Sequence, residues 1–511
     1  MRKQRSLLCY LLLALLFVSV LSPAVCAEEG EYFDSSVFDG KRVGVQTGST
    51  AVELAPEYFK DPEMNYFVST TDLFPALLNN KIDVGFADEP ILRYGAAQVG
   101  GMQVERLESA IDSIAIVCAK TEKGDTLRAQ LNSFITALDE SGELTALQSK
   151  WFDGSEEQQT MEDYTLYPDT NGVLAIGSEV SYPPFQFVRD GMFVGYEIEL
   201  AARFCKEYGY RPDFQNYDFA GIIAAVNTGK LDLGVSGFTV TEERMKSVNF
   251  TVPHFYSYLG VVFMDEEEGS GVLSPADHFR STFLHENRWK SFLSGAFVTL
   301  RISALSILFG TVLGFGWYLL YRRKNPVVVS LTNALLWLLN GLPVVVLLMI
   351  FYYLVFTNGY FDGEQVSVLC FSFLFAGFML RALENGEKAV DSGQALAADA
   401  MGYSNLKAFF RIIFPQTARF VWPNYIGEIC SHIKSTAVVG YIAVVDITKV
   451  GDLIRGITYD AFFPLLFVAA AYFLMTALLQ SIARLIAKKT DPFSRSQEEI
   501  LKGVVLRNGE K

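Results

Sequence analysis

The chain has 511 residues, half of them hydrophobic and 19% charged, with a formal net charge of −15. That length implies several domains, and the composition is too apolar for one soluble enzyme and too charged for a chain lying wholly in a membrane. The negative balance argues against a nucleic-acid partner, because phosphate binding needs a basic face.

Arg2, Lys3 and Arg5 precede an apolar run over 7–21 and small residues as far as Ala27. This is the pattern of a secretory signal peptide over 1–27, with Val25-Cys26-Ala27 as the cleavage site, or of an uncleaved anchor. Lipidation at Cys26 is disfavoured by the Pro23-Ala24-Val25 before it. In each case the part that follows is expected outside the cell. Cys118 and Cys205 fall within apolar segments at spacings that suggest neither a disulfide framework nor zinc, and are expected as buried thiols. The four histidines lie apart, so neither a metal site nor a catalytic triad is expected, and the chain does not read as an enzyme.

Residues 40–46 predict a strand, and Thr47-Gly48-Ser49-Thr50 opens the next helix. Small residues there leave backbone N–H groups for an anion, although a plain N-cap explains the same spacing. A helix is predicted over 73–79 and a buried strand over 82–86, with Asp88 and Glu89 at its carboxyl end, where α/β folds place ligands. A strand over 113–119 and helices over 125–151 follow, then a polar join at 153–171. A second unit starts with a strand at 173–177 and a loop over 179–185 with aromatics expected to be exposed. Gly195-Tyr196-Glu197-Ile198-Glu199-Leu200 leads into a helix ending near Tyr208, and Asp218-Phe219-Ala220-Gly221 opens another. A strand at 231–235 runs into Ser236, Thr239 and the Thr241-x-x-Arg244 helix start.

The Tyr182-Pro183-Pro184-Phe185 loop, the Gly-aromatic-acid-Ile-acid-Leu turn and the Thr-x-x-Arg helix resemble the first lobe of the extracellular binding proteins for polar amino acids. The resemblance implies that Arg244 clamps the α-carboxylate of an amino-acid ligand by a bidentate charge-assisted pair. It implies that Tyr182 and Phe219 sandwich the ligand side chain and that Ser236 and Thr239 serve its α-carboxylate and α-amino ends. It places Glu179 where an acid can meet a basic side chain. The first unit resembles the same family's second lobe, followed by the helices that return to lobe one. By that match Gly48 and Thr50 donate to the carboxylate and Asp88 holds the ammonium. Lobe two with its returning helices (40–155) thus precedes lobe one (172–264), the reverse of the family's order. A circularly permuted domain closing into one cleft is expected over two incomplete modules in tandem, since the pieces are complementary and neither is duplicated.

A charged linker (265–290) leads to a membrane part (291–488) and a tail (489–511). Apolar segments at 293–321, 327–356, 366–380, 420–445 and 462–486 predict about five spanning helices, the fourth made polar by Glu428, His432 and Lys434. Arg322, Arg323 and Lys324, like Lys488 and Lys489, mark cytoplasmic ends, while the 357–365 loop lacks Lys and Arg and is expected outside. Between spans, residues 392–416 form an amphipathic element: a helix at 395–401, a break at Gly402-Tyr403-Ser404, and a helix over 405–414 before Pro415. So small an element buries no core alone. Gly393, Gln394, Ala397, Ala398, Gly402, Pro415 and Gln416 resemble the coupling loop of the permease subunits of ATP-binding-cassette importers, which docks on a cytoplasmic ATPase. Leu396 stands where that family has Glu, and Met401 where it has Leu. Docking is therefore expected through apolar contact from Leu396, Met401 and Phe409 around Gly402. Asn340-Gly341-Leu342-Pro343 and Lys434-Ser435-Thr436 resemble further permease motifs, each with a charge replaced.

The expected fold is a two-lobed α/β domain like the periplasmic binding proteins, with permuted lobe order, followed by an all-α polytopic membrane domain. The implied role is a binding protein fused to the permease of an importer for a polar amino acid, set in the cell membrane with its lobes extracellular or periplasmic. No G-x-x-x-x-G-K-[ST] occurs in the sequence, so ATP is assigned to a separate ATPase and no cofactor is expected in this chain. The expected partners are an amino-acid ligand, that ATPase, membrane lipid and a second permease, identical or homologous. The rival is an amino-acid-sensing membrane receptor or ligand-gated channel with similar lobes. A channel inserts its pore between the lobes, whereas here the expected spans follow both.

Overall fold

The computed structural model describes residues 33–490 apart from 109–110, 156, 266–273 and 357–360, and side chains as far as 483. The expected signal segment 1–27, the 266–273 part of the linker and the tail beyond 490 lie outside the described residues.

Strands β1 (Arg42–Gln46), β2 (Glu63–Phe67), β3 (Val84–Asp88) and β4 (Met102–Arg106) open the exported part. The short β5 (Asp112–Ile114) and β6 (Val117–Cys118) carry the chain across to a second body. There β7 (Val173–Ser178), β8 (Ser181–Tyr182), β9 (Gln186–Arg189), β10 (Met192–Val194), β11 (Arg211–Asn216), β12 (Leu233–Gly234) and β13 (Asn249–Phe250) follow. The last two, β14 (Phe255–Ser257) and β15 (Leu259–Met264), bring it back.

One sheet has the order β2-β1-β3-β15-β4 and the other β11-β7-β12-β6-β13. The two follow one scheme. β1 pairs in parallel with β2 and β3, and β7 does so with β11 and β12. The strand inserted from the other stretch of sequence, β15 or β6, pairs antiparallel with both neighbours. Each lobe is thus completed by a strand from the other piece, and the two crossing strands β5 and β14 pair with each other between the lobes. Residues 259–264, expected in lobe one, therefore belong to the sheet of lobe two. They form a continuous apolar run, and such a run signals a buried strand without saying which sheet it joins.

The helices Glu122–Ser141 and Glu143–Phe152 return to lobe one. Trp151 Nε1 and Lys150 Nζ donate to Glu199 Oε2 at 2.7 and 2.6 Å, tying the second of them to the helix Tyr196–Glu207. Trp151, Phe185, Tyr196 and Phe204 are fully buried in the core beneath, each stabilising by about 1.5–3 kcal/mol relative to exposure. Cys118 and Cys205 are buried free thiols, both pushed up to about 12 by burial.

In the membrane part, Trp289–Tyr321, Gly363–Lys388 and Phe462–Ala483 are long and apolar enough to cross a membrane among the described residues. The count is four if the pair Pro326–Gly341 and Val344–Val355 is taken as one; its halves meet at 112°. The span expected over 327–356 is broken there because Pro343 supplies no N–H and pushes Leu342 into extended backbone, at φ −107° and ψ 141°. The span expected over 420–445 falls on Phe414–Ser435, too polar to be counted with Gln416, Arg419, Asn424, Glu428, His432 and Lys434 along it, and leads into the 3-10 helix Thr436–Ile442. Trp289–Tyr321 and Gly363–Lys388 pack backbone to backbone: a Cβ added at Gly310 or Gly314 would lie 2.8 Å from Ser372 O or 2.6 Å from Ala376 O. Small residues serve this purpose between helices in lipid. Trp289–Tyr321 meets the Ile447–Thr458 helix at Gly295 and the 392–416 loop at Tyr318, about 35 Å apart along the axis.

Candidate functional site

The carboxyl ends of the lobe strands face each other, and their side chains bond directly across the seam. At one end, Thr241 Oγ1 caps the helix Glu242–Ser247 by accepting from Arg244 N. The cap presents the Arg244 guanidinium, which donates to Thr239 O in lobe one and to Gly48 O in lobe two, each at 2.9 Å. Phe219 and Phe238 stack with centroids 4.8 Å apart and lie 5.5 and 5.8 Å beneath the guanidinium carbon. Asp112, on the crossing strand β5, accepts from Thr239 Oγ1 at 3.3 Å and Thr50 Oγ1 at 3.5 Å. Burial lowers the Arg244 pKa, opposed by Glu53, Asp112 and Asp88.

In the middle, Asp88 sits at the end of β3. Its Oδ2 accepts from the Tyr182 hydroxyl at 2.5 Å, while Oδ1 is buried without a hydrogen-bond partner. Burial pushes its carboxyl up to about 6, against the pull of the Tyr182 bond. At the far end, Glu179 is buried and pushed up to about 7, again by burial. Its Oε2 accepts from Gln46 Nε2 at 2.7 Å and its Oε1 from Ser181 Oγ at 2.9 Å. Gln46 in turn accepts from Thr70 Oγ1 at 2.8 Å, and Ser69 Oγ lies 3.0 Å from Ser181 Oγ.

The expected residues Gly48, Thr50, Asp88, Glu179, Tyr182, Phe219, Thr239 and Arg244 all lie along this seam. Ser236 differs: its hydroxyl accepts from Glu179 N and Gln186 Nε2 inside lobe one, so its own proton is what remains to offer a ligand. The aromatics of the 179–185 loop, expected to be exposed, are buried, because lobe two closes over Tyr182 and the core takes up Phe185. Sequence reasoning passed over Gln46, Ser69, Thr70 and Asp112. Gln46 was findable, since it ends β1 as Asp88 ends β3; Asp112 carries no local signal. A cavity of about 1040 Å³ lies elsewhere, between lobe one at Asp213 and Lys230 and the membrane helices at Ser291 and Tyr352.

In the 392–416 loop, the helix Gly393–Ala400 ends before Gly402, whose φ is +75°. A Cβ there would meet nothing within 4 Å, so backbone angle rather than crowding calls for glycine. Leu396 and Met401 are 71% and 72% exposed, and Ala397 and Pro415 are also exposed. Phe409, expected on the docking face, is 2% exposed. Its ring packs on Tyr318 and lies 4.5 Å from the Arg322 guanidinium carbon. Leu406, 70% exposed, occupies the outer surface instead, and Ala398 is buried.

Residues 174–494 match the bacterial extracellular solute-binding proteins, family 3. A Rickettsia conorii protein named for the permease of a glutamine transport system is 28% identical over 202 residues, 39% of this chain and 91% of that protein. The arginine-binding extracellular protein of Bacillus subtilis is 33% identical over 104 residues, 20% of this chain and 40% of that protein. The crystal structure of an amino acid ABC transporter with histidines is similar at a TM-score of 0.39 and 23% identity, covering 43% of this chain and 99% of that one.

Proposed function

This chain belongs to the bacterial extracellular solute-binding proteins, family 3, and from that premise we propose that it binds a polar α-amino acid outside the cell and forms the membrane pathway of an importer driven by a separate ATPase. The reading rests on one arrangement. A guanidinium, Arg244, and a buried carboxylate with an unpartnered oxygen, Asp88, lie along a single seam between two lobes. One cation and one anion are what the two ends of a zwitterion require. Glu179 sets the class of side chain: a buried carboxylate accepts N–H groups, so it fits a guanidinium, ammonium or amide. That is the chemistry shared by the solutes for which the arginine-binding and glutamine-transport relatives are named.

The membrane half supplies the pathway, completed by a second permease, and the protein sits in the cell membrane with its lobes outside. The ATPase docks on the 392–416 loop through Leu396, Ala397, Met401 and Pro415 around Gly402, with Leu406 taking the place expected of Phe409. ATP is consumed by that subunit and not by this chain. The test is calorimetric titration of the full chain in detergent with L-arginine, L-glutamine, L-cystine and L-leucine, and with agmatine, which lacks arginine's α-carboxylate. Binding of a polar L-amino acid, with agmatine inert, is expected. Failure of every polar amino acid, or agmatine binding as well as arginine, would sink the reading.

A further inference from the structure

One helix of the membrane half touches both lobes at once. Ile447–Thr458 is capped by Asp446, which accepts from Lys449 N at 2.9 Å. It packs against Gly295 of the first long helix on one side and against Val468 of the last on the other. Toward the lobes, Lys449 Nζ reaches Asp218 Oδ1 at 2.7 Å, and Arg455 Nη2 reaches Asp72 Oδ1 at 3.2 Å. Asp218 belongs to lobe one and starts the helix that carries Phe219. Asp72 belongs to lobe two and ends the turn that carries Thr70, the partner of Gln46. Arg455 also has Asp452 of its own helix at 3.4 Å.

One residue beyond Arg455 the helix comes so close to the seam that a side chain there would crowd both lobes. A Cβ at Gly456 would lie 3.1 Å from Ser181 Cβ in lobe one and 3.2 Å from Thr71 Oγ1 in lobe two. Just beyond, the Tyr459 ring meets Phe74 of lobe two edge-on, with centroids 4.9 Å apart. Lobe one has a second hold, through the Tyr217 hydroxyl 2.6 Å from that of Tyr352 and through Lys230 donating to Phe356 O.

Lys449 and Arg455 are six positions apart on a rigid helix, about 9 Å along its axis. Their spacing is fixed, whereas the separation of Asp218 and Asp72 changes whenever the lobes part. We propose that the Ile447–Thr458 helix is a latch acting in cis: it grips both lobes of its own chain and so registers closure of the cleft without help from a second permease. The partner this surface fits is the closed binding domain of the same polypeptide. Coupling is reciprocal: a latch that senses closure also favours it. This rests on the reading that the lobes open and close around a solute.

The test is the distance between spin labels at Tyr66→Cys in lobe two and Leu166→Cys beside lobe one, both exposed positions, in the full chain in lipid nanodiscs. Distributions are compared with and without L-arginine and L-glutamine. For Arg455→Met and Lys449→Met the closed-to-open ratio is expected to fall about three- to fivefold without added amino acid, and Arg455→Lys is expected to retain it. Unchanged distributions in both Met variants overturn the latch, as does an Arg455→Lys shift as large as that of Arg455→Met. If the Met variants shift but neither amino acid alters any distribution, the latch stands and the solute reading fails.

Discussion

Arg244 stands at one end of the seam and Asp88 in its middle, and each fails in its own way when altered. Arg244→Ala leaves an incoming carboxylate without a charged partner, which costs on the order of 2–5 kcal/mol of affinity; calorimetry on the full chain reads this directly. Asp88 must be ionised to pair with an ammonium, and burial sets its carboxyl at about 6 in the free protein. Affinity should therefore be flat above that value and fall by up to tenfold per pH unit below it, while Asp88→Asn removes the slope. Glu179 runs on a different linkage. With its folded value raised to about 7, the cost of its charge builds as pH climbs from the ordinary glutamate value toward 7, is complete above it and is small at pH 5. Glu179→Gln should thus raise the melting temperature at pH 8 and leave it nearly unchanged at pH 5. Arg244 was legible through the Thr-x-x-Arg motif, Asp88 through its place at the carboxyl end of a strand, and Glu179 only through the family resemblance. Asp112 and Ser69 were not, since their partners lie in distant sequence and only the closed lobes bring them together, while Gln46 is marked only by its place at the end of β1.

The 392–416 loop shows what local pattern can and cannot give at the level of one element. The break at Gly402 and the exposure of Leu396 and Met401 follow from residue type. The expected stop before Pro415 does not occur: a π-helix at Phe409–Ile413 precedes Phe414–Ser435, and Pro415 sits in the first turn of that helix, where a missing N–H is tolerated. The π-turn also faces Phe409 inward onto Tyr318, a rotation that helical periodicity of 3.6 does not anticipate. Phe409→Ala should accordingly act as a core truncation, destabilising by about 3–5 kcal/mol and lowering the thermal midpoint. Gly402→Val forces a β-branched residue to positive φ, a strain of roughly 1–2 kcal/mol. It should depress solute-stimulated ATPase activity in reconstituted vesicles while solute affinity holds. Loss of affinity alongside would mean that the loop acts through the fold rather than by docking.

For the whole molecule, the complementarity of the two exported pieces could be read from sequence, but the exchange of β6 and β15 between sheets could not. Pairing partners across long separations leave no periodic trace, and both strands look like ordinary apolar runs. Because each lobe is closed by a strand from the other piece, titration of the full chain should find one solute per polypeptide; two sites would mean two separate modules. The strand β15 carries a further consequence. It runs out of lobe two, and the same polypeptide then continues into Trp289–Tyr321, so the receptor never leaves the gate it serves. A covalent leash of this kind holds its two ends at an effective concentration on the order of millimolar. Receptor abundance then drops out of the rate law, and uptake should depend on solute concentration through a single hyperbola, with no lag while a secreted receptor finds its transporter.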